Sequence, residues 1–233
     1  MEIHGLNKTT LLDYPGKVGA TMFTGACNFC CPFCHNAGLV LHPQSEPTIS
    51  SEEIERFLER RKGITDGICI TGGEPTLQKD LKEFILHIKE FGYLVKLDTN
   101  GYRPDVLREL LDEKLLDYVA MDIKSSKEGY ALSCGIENVD IRKIEESVAI
   151  LLSCDVEYEF RTTVVKGIHS KEDFVGISKW IAGAKRYFLQ QYKEEEGIEI
   201  ICPGFSSFTK EEMKEFEGIV APQVKECGIR GID

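Results

Sequence analysis

The chain has 233 residues, 42% of them hydrophobic and 29% charged, a balance that suits a single domain (1–233) around one sizeable core. A net charge of −11 argues against binding to a nucleic-acid backbone, and no apolar run is long enough to cross a bilayer. The opening residues lack the apolar core of a signal peptide, so the expected compartment is the cytoplasm, where nine cysteines point to metal or redox chemistry rather than to disulfides.

The first β-prone run covers residues 18–24 and leads into Gly25-Ala26-Cys27-Asn28-Phe29-Cys30-Cys31-Pro32-Phe33-Cys34-His35-Asn36. Ser50 and Glu53 form a capping-box pattern ahead of a helix with Ile54, Phe57 and Leu58 on one face. The second run, 67–71, ends in Gly72-Gly73-Glu74-Pro75 and is followed by a helical pattern over 81–91. The third, 94–97, ends in Asp98-Thr99-Asn100-Gly101 before a helix over 105–114. The fourth, 118–123, holds Asp122 and is followed by Lys124, with a helix over 144–153. The fifth, 157–165, carries Arg161; the sixth, 186–191, ends the rhythm. Glu194-Glu195-Glu196 reads as a solvated loop. Thr209 and Glu212 read as a capping box opening a last helix with Met213 and Phe216 inward. His87 lies in a helical run as a surface or core residue, His4, His42 and His169 show no ligand spacing with each other, and Cys69, Cys134, Cys154, Cys202 and Cys227 read as small buried hydrophobes.

Strands alternating with helices predict parallel pairing, because parallel neighbours need a crossover. An open doubly wound sheet and a barrel both satisfy that pattern. Polar motifs follow four successive strands, which favours a barrel with chemistry at its carboxyl-terminal rim over a sheet with one switch point.

The cysteine loop admits two metal readings. Cys27-x2-Cys30 with Cys31-x2-Cys34 offers four thiolates for zinc, but the two pairs abut without the spacer that lets two knuckles meet. Cys27-x3-Cys31-x2-Cys34 offers three thiolates to a four-iron cluster that ordinarily takes four, leaving one iron open to a ligand. The second reading is favoured, and it makes Cys30 a bystander.

C-x3-C-x2-C after the first strand, with an aromatic residue before the last cysteine, resembles the signature of radical S-adenosylmethionine enzymes. Gly72-Gly73-Glu74-Pro75 resembles the segment that lies along the methionine amino group in that superfamily. Cys34-His35-Asn36, Leu97-Asp98-Thr99-Asn100-Gly101 and Met121-Asp122-Ile123-Lys124 look like the activating enzymes of glycyl radical enzymes. Thr10-Leu11-Leu12-Asp13-Tyr14-Pro15-Gly16 and Phe188-Leu189-Gln190-Gln191-Tyr192 look like one branch of these, the anaerobic ribonucleoside-triphosphate reductase activating proteins.

The resemblance implies a partial (β/α)6 TIM-like barrel, with a core over about 11–192 and a C-terminal extension over about 202–233. It implies a [4Fe-4S] cluster on Cys27, Cys31 and Cys34, and S-adenosylmethionine beside it. Phe33 and His35 would flank the adenine. Gly72, Gly73 and Glu74 would meet the methionine end, Lys124 its carboxylate, and Asp122 would accept hydrogen bonds nearby. Asp98 and Asp122 match positions that hold a monovalent cation in the pyruvate formate-lyase activating enzyme. Arg161 is a candidate contact to ribose or carboxylate, or else an ion pair with Glu159 or Asp98. Where that relative has a ligand-touching His after its sixth strand, this chain offers Gln190, Gln191 and Tyr192 and no His, and Gln191 is the first choice. The implied partners are a low-potential electron donor and, as protein substrate, an anaerobic ribonucleotide reductase. Another glycyl radical enzyme, such as pyruvate formate-lyase, and a small-molecule substrate are the alternatives.

Overall fold

Near-continuous runs of buried apolar residues mark the strands of the computed structural model, which describes residues 1–193 and 200–232. The loop expected at Glu194-Glu195-Glu196 lies outside those residues. The described chain divides into two compact units.

The first unit comprises Met1–Asn28, Asn36–Thr99 and Arg103–Val119. Its strands are β1 (Ile3–Thr10), β2 (Gly19–Thr24), β3 (Gly67–Gly72) and β4 (Leu94–Thr99). β2, β3 and β4 pair in parallel, in register from Gly19 against Gly67 and from Gly67 against Leu94. Ala20, Met22, Ile68, Ile70, Val95 and Leu97 are buried on one face and Thr21, Cys69 and Lys96 on the other, as strands covered on both faces require. Helices α1 (Ala37–Leu41), α2 (Ser51–Arg61), α3 (Leu81–Glu90) and α4 (Pro104–Asp112) complete the unit. Ser50 caps α2 by accepting from the Glu53 amide, and Ile54, Phe57 and Leu58 are its buried stripe, as the periodicity predicts. β1 was not among the expected strands. It pairs antiparallel with β2, and its Asn7-Lys8-Thr9 stretch is exposed. Backbone hydrogen bonds rather than an apolar pattern make it a strand.

β5 (Tyr118–Asp122) begins in the first unit and ends in the second, which comprises Phe29–His35, Asn100–Tyr102 and the chain from Ala120 onward. Here β6 (Glu157–Val164), β7 (Tyr187–Gln191) and β8 (Cys227–Arg230) pair in parallel. Helices α5 (Tyr130–Cys134), α6 (Ile141–Ser153), α7 (Lys171–Trp180) and α8 (Lys210–Val220) accompany them. The capping box at Thr209 and Glu212 is formed, and Met213 and Phe216 are buried. Phe216 stacks on Phe174 of α7 at 4.4 Å. β8 is the second unexpected strand: four half-buried residues in the C-terminal extension that pair with β7.

Candidate cofactor site

In the first unit the entry to the cysteine loop is pinned by backbone. After β2 the chain turns through Ala26, a non-glycine residue at φ 64°. The Ala26 amide donates to Leu39 O at 2.8 Å, and Gln78 Nε2 donates to Gly25 O at 2.8 Å. From the end of β3, the Gly73 amide donates to Thr24 O and the Glu74 amide to Ala26 O, both at 2.8 Å. This contact leaves no room for a side chain. A Cβ on Gly72 would stand 2.4 Å from Thr24 O, and one on Gly73 would stand 2.0 Å from Ala26 O. The two glycines therefore let β3 close on the loop that begins at Cys27.

Glu74 is buried, and its Oε1 accepts from the Thr76 amide at 3.1 Å and Thr99 Oγ at 2.8 Å. It ties the ends of β3 and β4 together. The Gly72 carbonyl accepts from Asn36 Nδ2 at 3.0 Å, which accounts for the Asn of Cys34-His35-Asn36. Asp98 takes the ammonium of Lys96, two residues earlier on the same face of β4, and both are buried.

In the second unit Cys31 is buried and Cys34 half-buried, with the Cys34 amide closing a turn onto Cys31 O at 3.0 Å. Two distant segments brace the loop: the Cys30 amide donates to Cys134 O at 2.9 Å, and the Cys202 amide donates to Pro32 O at 2.8 Å. Phe33 is buried edge-on between His169 (6.3 Å) and Phe205 (6.4 Å). His35 stacks on Tyr192 at 5.2 Å and 11°, with Nε2 2.9 Å from Lys193 O.

The carboxylate of Asp122 is the electrostatic centre of this unit. Its Oδ1 accepts from Arg161 Nε at 2.5 Å and its Oδ2 from Lys124 Nζ at 2.8 Å. Burial alone would raise its pKa, but the guanidinium and the ammonium hold it well below the usual carboxylate range. Burial likewise opposes the charge on Lys124, yet Asp122, with a smaller contribution from Cys31, raises its pKa. Arg161 thus pairs with Asp122, while Glu159 is held by both guanidinium nitrogens of Arg230 at 2.7 and 2.8 Å. Side chains supply positive charge to both Asp98 and Asp122.

Strand register moves the residue expected at Gln191. Arg161 pairs with Phe188 and Thr163 with Gln190, so Gln190 shares the face of Arg161 and Gln191 points the other way. Gln191 Nε2 donates to Phe208 O at 2.7 Å instead.

His169, which shows no ligand spacing in the sequence, has a specific structural role. The Val165 amide donates to its Nδ1 at 3.0 Å, so Nε2 carries the proton and donates to Lys124 O at 2.8 Å. One buried imidazole joins the ends of β5 and β6 and packs against Phe33. Nothing in the Val165–His169 turn signals this at the level of sequence.

Residues 21–181 match the family model described as the Radical SAM superfamily. A Methanocaldococcus jannaschii protein named "Putative glycyl-radical enzyme activating enzyme" is 33% identical across 99% of this chain and 96% of its own length. A Thermococcus kodakarensis protein named "Probable GTP 3',8-cyclase" is 33% identical over 64% of this chain; the match spans 48% of that longer protein. Among solved structures, Streptococcus suis SuiB bound to S-adenosylmethionine superposes with a TM-score of 0.68 at 14% identity, covering 89% of this chain and 49% of SuiB. That likeness shows the fold, the partial TIM-like barrel class expected from the sequence. Among the described residues no helix is long and apolar enough to cross a membrane.

Proposed function

The chain belongs to the radical S-adenosylmethionine superfamily, and from that premise we propose that it is an oxidoreductase that installs a glycyl radical on an anaerobic ribonucleoside-triphosphate reductase. The observation that carries the activase reading is the end-to-end similarity to the Methanocaldococcus protein, at 33% identity across 96% of that relative. The superfamily uses a [4Fe-4S] cluster and S-adenosylmethionine. The donor set here suits them: Cys27, Cys31 and Cys34 offer three sulfurs on one short loop, and Lys124 is a charged ammonium with three donors, of which Asp122 takes one.

When bound, the cluster would supply one-electron reduction of S-adenosylmethionine, and with it the radical chemistry that removes hydrogen from a glycine. The chain's residues place and shield the reactants. Cys27, Cys31 and Cys34 would hold the cluster. Lys124 binds the methionine carboxylate, with Asp122 and Arg161 fixing the ammonium. The Gly72–Glu74 backbone lines the methionine amino group, Glu74 acting through the tie it makes to Thr99. Phe33 and His35 flank the adenine, and Gln190, on the face of Arg161, replaces Gln191 as the polar contact after the sixth parallel strand. A low-potential one-electron donor is the second partner.

Two segments support the reductase branch: Thr10–Gly16, which exposes Leu11 and Leu12, and Phe188–Tyr192, in which the Arg230 guanidinium lies 3.6 Å from the Phe188 ring centre. The cyclase similarity favours a small-molecule substrate, but it stops at 64% of this chain. The test mixes anaerobically reconstituted, reduced protein with S-adenosylmethionine and the reductase. We expect an oxygen-sensitive doublet by electron paramagnetic resonance. A doublet on pyruvate formate-lyase alone would refute the branch; no radical on either, with a small molecule consumed, would refute the activase reading.

A further inference from the structure

A second guanidinium shares the strand face of Arg161. Register puts Arg161 beside Phe188 and Phe188 beside Gly228, so these three form one row across β6, β7 and β8. Thr163, Gln190 and Arg230 form the next row on the same face. Gly228 has no side chain to contribute, and a Cβ there would stand 3.2 Å from Phe188 Cε1. Arg230 reaches over that place. Its guanidinium carbon lies 3.6 Å from the Phe188 ring centre, and Nη1 and Nη2 donate to the two oxygens of Glu159 at 2.7 and 2.8 Å.

The result is a planar donor group fixed by a stack and two hydrogen bonds. Glu159 is only 1% exposed, yet the Arg230 side chain is 34% exposed. Arginine has five N–H donors and Glu159 takes two, so three remain. Their position is close to the proposed chemistry. Phe188, beneath the guanidinium, is the register neighbour of Arg161, and Arg161 bonds the Asp122 carboxylate that also holds Lys124. Charge selects the ligand. Glu159 already cancels the charge of Arg230, so a carboxylate or phosphate would gain little attraction and would meet a second anion. A neutral carbonyl oxygen accepts the remaining N–H groups without that cost. Glycine has no side chain, so main-chain groups are what a site can grip at a target glycine.

We propose that Arg230 donates to a main-chain carbonyl of the peptide loop that carries the target glycine, and so helps to select the protein substrate. This role presumes the activase reading.

The test uses full-length, anaerobically reconstituted proteins and follows the initial rate of glycyl-radical formation against reductase concentration. Glu159→Leu combined with Arg230→Met removes both charges and orphans neither, an exchange that buried ion pairs often tolerate. Arg230→Lys keeps a cation for Glu159 but loses the stacked fork, and it serves if the double variant does not fold. In either variant the KM for the reductase should rise at least about tenfold, while the Kd for S-adenosylmethionine, read by calorimetry, stays unchanged. The ratio of variant to wild-type KM should be the same at low and high salt, because the lost contact is to a neutral group. An unchanged KM overturns the proposal and leaves the activase reading intact. KM and cofactor Kd rising together would show a merely structural role, and a ratio that shrinks with salt would show an acidic side chain as the ligand; either overturns it. If the wild type makes a radical on neither the reductase nor pyruvate formate-lyase, the activase reading and the proposal fail together.

Discussion

Replacing Lys124 with alanine separates its hold on Asp122 from its proposed hold on the cofactor carboxylate. Asp122 would keep Arg161 at 2.5 Å, so the carboxylate is not orphaned and the stability loss is that of one charge-assisted hydrogen bond, about 1.5–3 kcal/mol. Asp122→Asn is the harsher change, because it leaves an ammonium and a guanidinium together with no anion; breaking a buried pair in this way costs about 3–5 kcal/mol. Cofactor affinity should fall in the opposite order. Lys124→Ala removes the carboxylate's partner, and about 1.5–3 kcal/mol corresponds to roughly 10- to 150-fold weaker binding. Asp122→Asn keeps the ammonium and loses less. Urea unfolding of the apo proteins and anaerobic calorimetry with S-adenosylmethionine on the reconstituted ones measure the two orders. If Lys124→Ala binds the cofactor at least as well as Asp122→Asn, the assignment of Lys124 is wrong.

Changing Cys27, Cys31 or Cys34 to alanine should abolish the four-iron chromophore, while Cys30→Ala keeps it; ultraviolet–visible spectra and iron analysis decide. Gly73→Ala drives a methyl into Ala26 O, so it should destabilise by at least about 1–3 kcal/mol and reduce iron loading through the displaced entry to Cys27, as thermal melts and iron content would show. His169 is kept neutral chiefly by burial, with Asp173 pulling weakly the other way. Its folded pKa lies below the unfolded value of about 6.5. Its contribution to stability is therefore full above that value and is lost as pH falls below it, by at most about 1.4 kcal/mol per unit. Melting temperatures from pH 8 down to pH 5 should fall less steeply in His169→Gln; parallel curves would refute the neutral tautomer.

Much of the fold was legible because its strands and helices announce themselves by periodicity. Ile54, Phe57 and Leu58 fall on one helical face, and 67–71 is apolar because both faces of β3 are covered. β1 was invisible since an edge strand can be polar and still pair through its backbone; β8 is too short and too half-buried to carry a pattern. Within the site, Asp122 and Lys124 were readable as neighbours two residues apart. That Arg161 joins them follows only from how β6 lies beside the end of β5, where the Ile123 amide donates to Arg161 O. The choice between Gln190 and Gln191 turned on one residue of register, which inverts the face of every side chain. His169 sits in a turn. No period exists there to read, and long-range packing gives it its role.

The bond from the Cys202 amide to Pro32 O spans 170 residues of chain (202 − 32) and bears on how the protein is made. At translation rates of about 5–20 residues per second, the cysteine loop has left the ribosome for roughly ten to thirty seconds before its second brace exists. Throughout that interval Cys31 and Cys34 lack the backing that Cys202 and Phe205 supply in the finished molecule. Iron delivery is best timed after release of the chain, and an oxidant met during synthesis would find these thiols at their least protected.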